Sequence, residues 1–267
     1  MEFTKMHCCG NDFCVVDYKL GVDYSELAKM LCNRRLGIGA DGIVVVKLNP
    51  LDMELYDAEG RKETRIGNEL FCFARYAFEK KIFDKKLEYL IPSGVVKLNL
   101  TSSMPFLVKI EMGKPIFVNQ MLHISDDINS FGRLCTVDGY RLTIYSLFLS
   151  DIHTVIFVDD LNSPILHIAS KISSHPLFKR KTTVNFVHIL GEKAIEIRTY
   201  ERNVGFVLCN GSGACASVIT CAKLGLTKGN VLVNLECGTF KVEVTKKENV
   251  FLEGSAQIIC QGIYNKE

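Results

Sequence analysis

Gly67-Asn68 and Gly211-Ser212-Gly213 each stand directly before an apolar stretch of helical spacing, and that placement has a chemistry. The first turn of a helix leaves four backbone N–H groups unpaired at the positive end of its dipole. Glycine lets a ligand approach that backbone closely. Two such ends meeting at a cleft would grip a carboxylate and stabilise negative charge developing beside it. Spacing alone fits an ordinary pair of helix starts equally well.

The elements that must carry these groups are legible in the pattern. Leu70, Phe73, Ala74, Ala77 and Phe78 recur at the spacing of a helical stripe. Ala214 to Leu224 is small and apolar nearly all round, as a helix enclosed by strands would be, and Gly225 reads as its stop. Ser25 to Leu31 and Ile165 to Ile172 are further helix candidates, and Gly42 to Lys47 is a buried strand. Alternation marks Met53–Tyr56 and Ala194–Tyr200 as strands.

The same order of elements occurs twice. At an offset of 144 residues, Met53–Asp57 falls on Ile197–Glu201, Ile66-Gly67-Asn68 on Asn210-Gly211-Ser212, and Gly94–Leu100 on Gly238–Val244. An offset of 140 lays Asn11–Val16 on Asp151–Ile156. Tyr on Tyr, acid on acid and Gly on Gly argue for two homologous lobes rather than chance alternation. The expected boundaries are 1–114 with about 256–267 for the first lobe and 115–255 for the second, with a ligand site in the cleft between them.

Composition narrows the class. The 267 residues are 48% hydrophobic and 23% charged, with 32 basic against 30 acidic residues, which excludes a disordered chain. A net charge of +2 argues against a nucleic-acid partner. No apolar run reaches the ~20 residues of a membrane span, and no secretory leader is visible at the start. Eleven cysteines, with Cys14, Cys221 and Cys260 in apolar runs, suit a reduced cytoplasmic protein in which thiols pack as small hydrophobes.

Longer motifs bring a resemblance that covers nearly the whole chain. Phe3–His7 followed by Gly10–Phe13, then Leu36–Gly42, resembles the opening of diaminopimelate epimerases. Gly67-Asn68 with Cys72–Tyr76 is similar to that family's first central helix, and Glu201-Arg202 with Gly211–Ala216 to its second. The resemblance implies an α/β (α+β) fold of two pseudo-symmetric lobes, each a mostly antiparallel, barrel-like sheet around a central helix. It implies a homodimer that inverts an amino-acid α-carbon without pyridoxal phosphate, metal or other cofactor, on the route to lysine and peptidoglycan. Two cysteines, each beside a helix N-terminus, do this in the family as acid and base.

The chain departs from that pattern at both thiols. The cysteine positions hold Ile66 and Asn210, neither of which titrates. Cys72 matches a non-catalytic family cysteine and reads as packing. Cys209, Cys8 and Cys9 are candidate substitutes, Cys209 only through a one-residue slip. By resemblance His153 and Glu201 are the groups that assist the thiols, and Asn11, Gly67, Asn68, Arg202, Gly211 and Ser212 contact the substrate. Asp57, Asp151 and Thr183 replace substrate-binding asparagines; the two aspartates would favour a cationic group if they face the ligand. Three functions follow: a racemase or epimerase with diaminopimelate as default substrate, a thiol-independent isomerase of another amino-acid-like substrate, or an inactive amino-acid-binding paralogue.

Overall fold

The computed structural model describes residues 1–63, 67–91, 94–124 and 129–265. By contact the chain divides into two compact units, residues 1–110 with 254–267, and residues 111–253.

The first unit starts with a hairpin of β1 (Glu2–Cys8) and β2 (Asn11–Asp17). Cys9 and Gly10 form its turn at φ 47° and 90°, the left-handed backbone that a two-residue hairpin turn demands. Helix α1 (Tyr24–Cys32) then leads to β3 (Gly42–Leu48), which pairs parallel to β2. Asp23 caps α1 by accepting from the amides of Ser25 and Glu26. The antiparallel strands β4 (Leu51–Asp57) and β5 (Lys62–Glu63) follow, then helix α2 (Glu69–Glu79). Strands β6 (Lys86–Ile91), β7 (Gly94–Ser103) and β8 (Phe106–Gly113) form an antiparallel run. The chain's last strand, β18 (Gln257–Ile263), pairs with β1. The resulting order is β18-β1-β2-β3-β4-β5.

Strand β2 is buried along its middle, so both faces of this sheet are covered. Cys14, Val16, Ile43 and Val45 pack with Tyr24, Ala28 and Leu31 of α1. The alternate residues Val15 and Val44 are equally buried, and α2 packs against β1, β2 and β3.

The second unit repeats this succession. After α3 (Asn119–Leu122) come β9 (Phe131–Val137), β10 (Tyr140–Leu149) and β11 (Asp151–Phe157), all antiparallel neighbours. A 3₁₀ turn (Pro164–Ile168) runs into α4 (Ala169–Ser173), and β12 (Thr183–Gly191) pairs parallel to β11. Strands β13 (Ala194–Glu201) and β14 (Gly205–Val207) precede α5 (Gly211–Lys223). Strands β15 (Asn230–Leu235), β16 (Gly238–Val244) and β17 (Val250–Gly254) complete the unit. From Gly213 to Cys221 α5 is buried at every position, and it packs on β10 to β13, β15 and β16.

Three expectations are corrected. The sheets are mixed and open rather than barrel-like: among the described residues β5 and β18 end the first order without meeting, and β9 pairs only with β10 in the second. Closure needs strand tilt and stagger to agree around a ring, whereas sequence alternation reports only which face is covered. Second, the stretch from Ile165 begins as 3₁₀, not α, behind Pro164, and turns α-helical only at Ala169. Third, Cys260 is exposed on the edge strand β18, unlike the buried Cys14 and Cys221. Among the described residues no helix is long and apolar enough to cross a membrane.

Candidate functional site

In the first unit the hairpin turn delivers Asn11 at the start of β2, where its side chain links two elements. Its Nδ2 donates to Asp41 Oδ2 (2.6 Å), and its Oδ1 accepts from Asn68 Nδ2 (3.2 Å). Asp41 is held in turn by Arg34 (2.7 Å), which also binds Asp12 (2.8 Å). Burial opposes ionisation of Asp12, but Arg34 and Lys5 outweigh it and hold the carboxyl below its ordinary range. Asn11 and Asn68 are thus fixed side by side on a charged scaffold. Asn68 is the N-cap of α2 but turns its side chain to Asn11 rather than onto the helix.

The helix end itself is occupied. Glu69, 4% exposed, folds its carboxylate back so that Oε1 accepts the Gly67 amide, and its own amide contributes as well. Burial pushes this carboxyl up to about 7, against the pull of those two amides. Nothing in the sequence reading singled out Glu69. An acid in a first helical turn is ordinary, and only its burial makes it unusual.

Asp57, at the end of β4, is committed to its own turn. It accepts the Glu59 and Arg61 amides (3.0 and 2.8 Å) and the Arg61 side chain (2.7 Å). Ile66 lies outside the described residues. Cys72 is buried inside α2, and burial raises its thiol well above the ordinary value.

In the second unit Asn210 caps α5. Its Oδ1 accepts the Gly213 amide (2.5 Å) and the Ser212 hydroxyl (3.1 Å), while its Nδ2 donates to Glu201 Oε1 (2.6 Å). The amide therefore bridges the helix start and the carboxylate at the end of β13. Gly211 and Gly213 are buried there, and a Cβ on Gly213 would lie 2.3 Å from Asn185 Oδ1. Cys209 is buried immediately before the cap.

His153 is fully buried on β11 and stands in register with Thr183 of the parallel β12. Its Nδ1 lies 3.3 Å from Asn185 Nδ2, and Asn185 Oδ1 accepts from Thr199 (2.9 Å). Burial lowers the imidazole to about 4, although Asp151 favours its protonated form, so at neutral pH it is uncharged. Asn185 was also missed by the sequence reading. Its signal is a polar side chain inside the apolar β12, which must find partners to be tolerated there.

Arg202 follows Glu201 but turns to Asp151, whose Oδ1 lies 2.8 Å from Nη2; Nη1 donates to the Lys181 carbonyl (3.3 Å). Within this unit, then, the structure joins Asn210 to Glu201, Ser212 to Asn210, and Arg202 to Asp151. Glu201 is a half-buried carboxylate beside the start of α5, held by the Asn210 side-chain amide.

Comparison with known proteins places these residues in context. The family profile for diaminopimelate epimerase matches residues 3–118 and 151–259. A diaminopimelate epimerase of Caldanaerobacter subterraneus subsp. tengcongensis is 36% identical, covering 98% of this chain and 98% of its own. One from Halothermothrix orenii is 35% identical over 98% and 97%. Among solved structures, a Bacillus anthracis phenazine biosynthesis protein of the PhzF family superposes with a TM-score of 0.69 at 11% identity, covering 98% of each chain.

Proposed function

The chain belongs to the diaminopimelate epimerase family, and from that premise we propose that it is a pyridoxal-phosphate-independent isomerase of an amino-acid-type substrate in which Glu201, not a cysteine pair, moves the proton. The observation that carries this reading is the Asn210–Glu201 contact. By motif, Ile66 and Asn210 stand where the family's two thiols stand. Asn210 cannot titrate, but it does two things a base needs from its neighbour. It keeps α5 capped, and it donates a hydrogen bond that orients the Glu201 carboxylate. His153 stays neutral and holds Asn185, which supports the floor under Gly213 rather than delivering a proton.

A racemase that inverts a centre uses an acid and a base on opposite faces; a single carboxylate suits a proton shift or exchange. This favours the thiol-independent isomerase over a diaminopimelate epimerase of the usual mechanism. We read the protein as cytoplasmic and homodimeric by family resemblance.

The test is α-proton exchange in D₂O followed by NMR, with LL-diaminopimelate and then cationic amino acids and their derivatives. Exchange should persist after iodoacetamide treatment and fall about 10²- to 10⁴-fold in Glu201→Gln, the usual worth of a positioned general base. Exchange abolished by alkylation would hand the role to Cys8, Cys9 or Cys209. Binding without any exchange would make the protein a ligand-binding member of the family.

A further inference from the structure

Strands β10 and β11 separate before either of them ends. Their ladder runs from Leu149–Asp151 to Tyr145–Val155 and stops there. Beyond it Tyr140 to Ile144 pair with β9, and Ile156 and Phe157 pair with β12, with no strand between them among the described residues. The splay opens a cleft of about 620 Å³ inside the second unit, a size typical of small-ligand pockets. Arg141, Thr143, Ile156, Phe157, Asp159 and Ile165 are among the residues that line it.

Strand alternation says which groups the cleft receives. The Ser146 and Phe148 amides bond to the Ser130 and Ile116 carbonyls on the β9 side (2.9 and 2.8 Å). Arg141 and Thr143 lie an odd number of places from both, so their main-chain N–H and C=O groups turn to the cleft. The Val158 amide bonds to Val187 of β12 (2.9 Å), so Phe157 turns its main-chain groups back toward β10. Continuing the register sets Thr143 opposite Phe157 and Arg141 opposite Asp159, on one face. In a closed ladder the first two would exchange hydrogen bonds and the second two would form an ion pair. Thr143 and Phe157 are not paired, and among the described residues neither Arg141 nor Asp159 has an ion partner. Asp160 is committed to its own turn, where Oδ1 accepts from the Asn162 amide and side chain (2.8 and 3.0 Å).

We propose that this cleft is a binding site for a free α-amino acid whose side chain ends in an amide. The ligand carboxylate meets Arg141 and its ammonium meets Asp159, a cation and an anion set across one gap. The apolar stem of the side chain then passes Ile156 and Ile165. Thr143 and Phe157 lie two residues further in, about 7 Å along the strands, within reach of a side chain of glutamine's length. Each presents a donor and an acceptor there, and main-chain groups enclosed by a cleft need partners. A side-chain amide also carries both, whereas a carboxylate or an ammonium brings only one. None of Glu201, Asn210, His153 and Arg202 lines this cleft, so the site stands or falls apart from the isomerase reading.

The experiment is isothermal titration of the full-length protein with L-glutamine at neutral pH. Binding to a single site is expected, with Kd below about 1 mM. Arg141→Ala and Asp159→Ala should each weaken it at least ~10-fold, because each removes one end of the charge match. Both side chains are exposed, and thermal melting checks that the variants fold. N-acetyl-L-glutamine lacks the ammonium and L-norleucine lacks the amide, and each should bind at least ~10-fold more weakly than L-glutamine. Those two comparisons need only the wild-type protein. No heat with millimolar L-glutamine overturns the proposal, and so does an affinity unchanged in both variants, which would place the amino acid elsewhere. Norleucine binding as tightly as glutamine overturns the pairing of a side-chain amide with Thr143 and Phe157.

Discussion

Burial moves two ionisable groups of this protein in opposite directions, Glu69 up to about 7 and His153 down to about 4. Each shift is a statement about stability. The folded chain binds the Glu69 proton more tightly than the unfolded chain does, so this contribution is complete below the ordinary carboxylate range and is lost as pH rises through about 7. The buried neutral His153 has the opposite sign: its contribution is present above about 6.5 and is lost as pH falls toward 4. Glu69→Gln should therefore gain on wild type as pH rises from 5 to 7.5, and His153→Asn should gain as pH falls from 6.5 to 4. Each relative change should be on the order of 3 kcal/mol at its extreme, read from urea unfolding across the pH series. A Glu69→Gln difference that stays flat with pH would mean the carboxyl is not held in a dry site. His153 and Glu201 could be named from the sequence only through the resemblance to the family. The sequence could not mark Glu69, because an acid after Gly67-Asn68 looks like a solvated first-turn residue until the packing around it is known. Nor could it show Asp151 turned onto Arg202, since a side chain's partner across two strands is set by pairing register.

Helix α5 shows what an element gains from one capping residue. Asn210 satisfies the Gly213 amide and at the same time anchors Glu201, so Asn210→Ala removes both functions. The expected cost is about 1 kcal/mol of stability from the lost cap. Isomerase turnover should fall further than that destabilisation explains, and Asn210→Asp should restore the cap but not the donor to Glu201. Melting temperatures set beside exchange rates separate the two effects; stability and turnover falling and recovering together would reduce Asn210 to a structural cap. Gly213→Ala should be worse for folding, by ~1–3 kcal/mol, because the new methyl meets Asn185 Oδ1 in a buried network with His153 and Thr199. The elements themselves were largely readable: α5 from its small apolar run, β3 from its unbroken apolar stretch, and β4 and β13 from alternation. What pattern did not carry was how the strands end. The open mixed sheets follow from pairing partners such as β2 with β3 and β11 with β12, and those depend on crossovers whose geometry local sequence does not record.

At the scale of the whole chain, family membership does not by itself fix the mechanism. Relatives match over nearly the full length, and the proposed function rests on reading Ile66 and Asn210 as the residues at the family's thiol positions. Two histories would produce that pattern. In one, only the acid–base pair has changed, and Ile66→Cys with Asn210→Cys would create LL-diaminopimelate epimerisation. In the other, the ligand changed as well. The second predicts that restored thiols are useless, because they act on a substrate that the protein no longer binds. The double cysteine variant should then show no epimerisation, measured by chiral chromatography of LL- and meso-diaminopimelate. Activity in the folded double cysteine variant would show that the divergence of this chain is confined to its thiols.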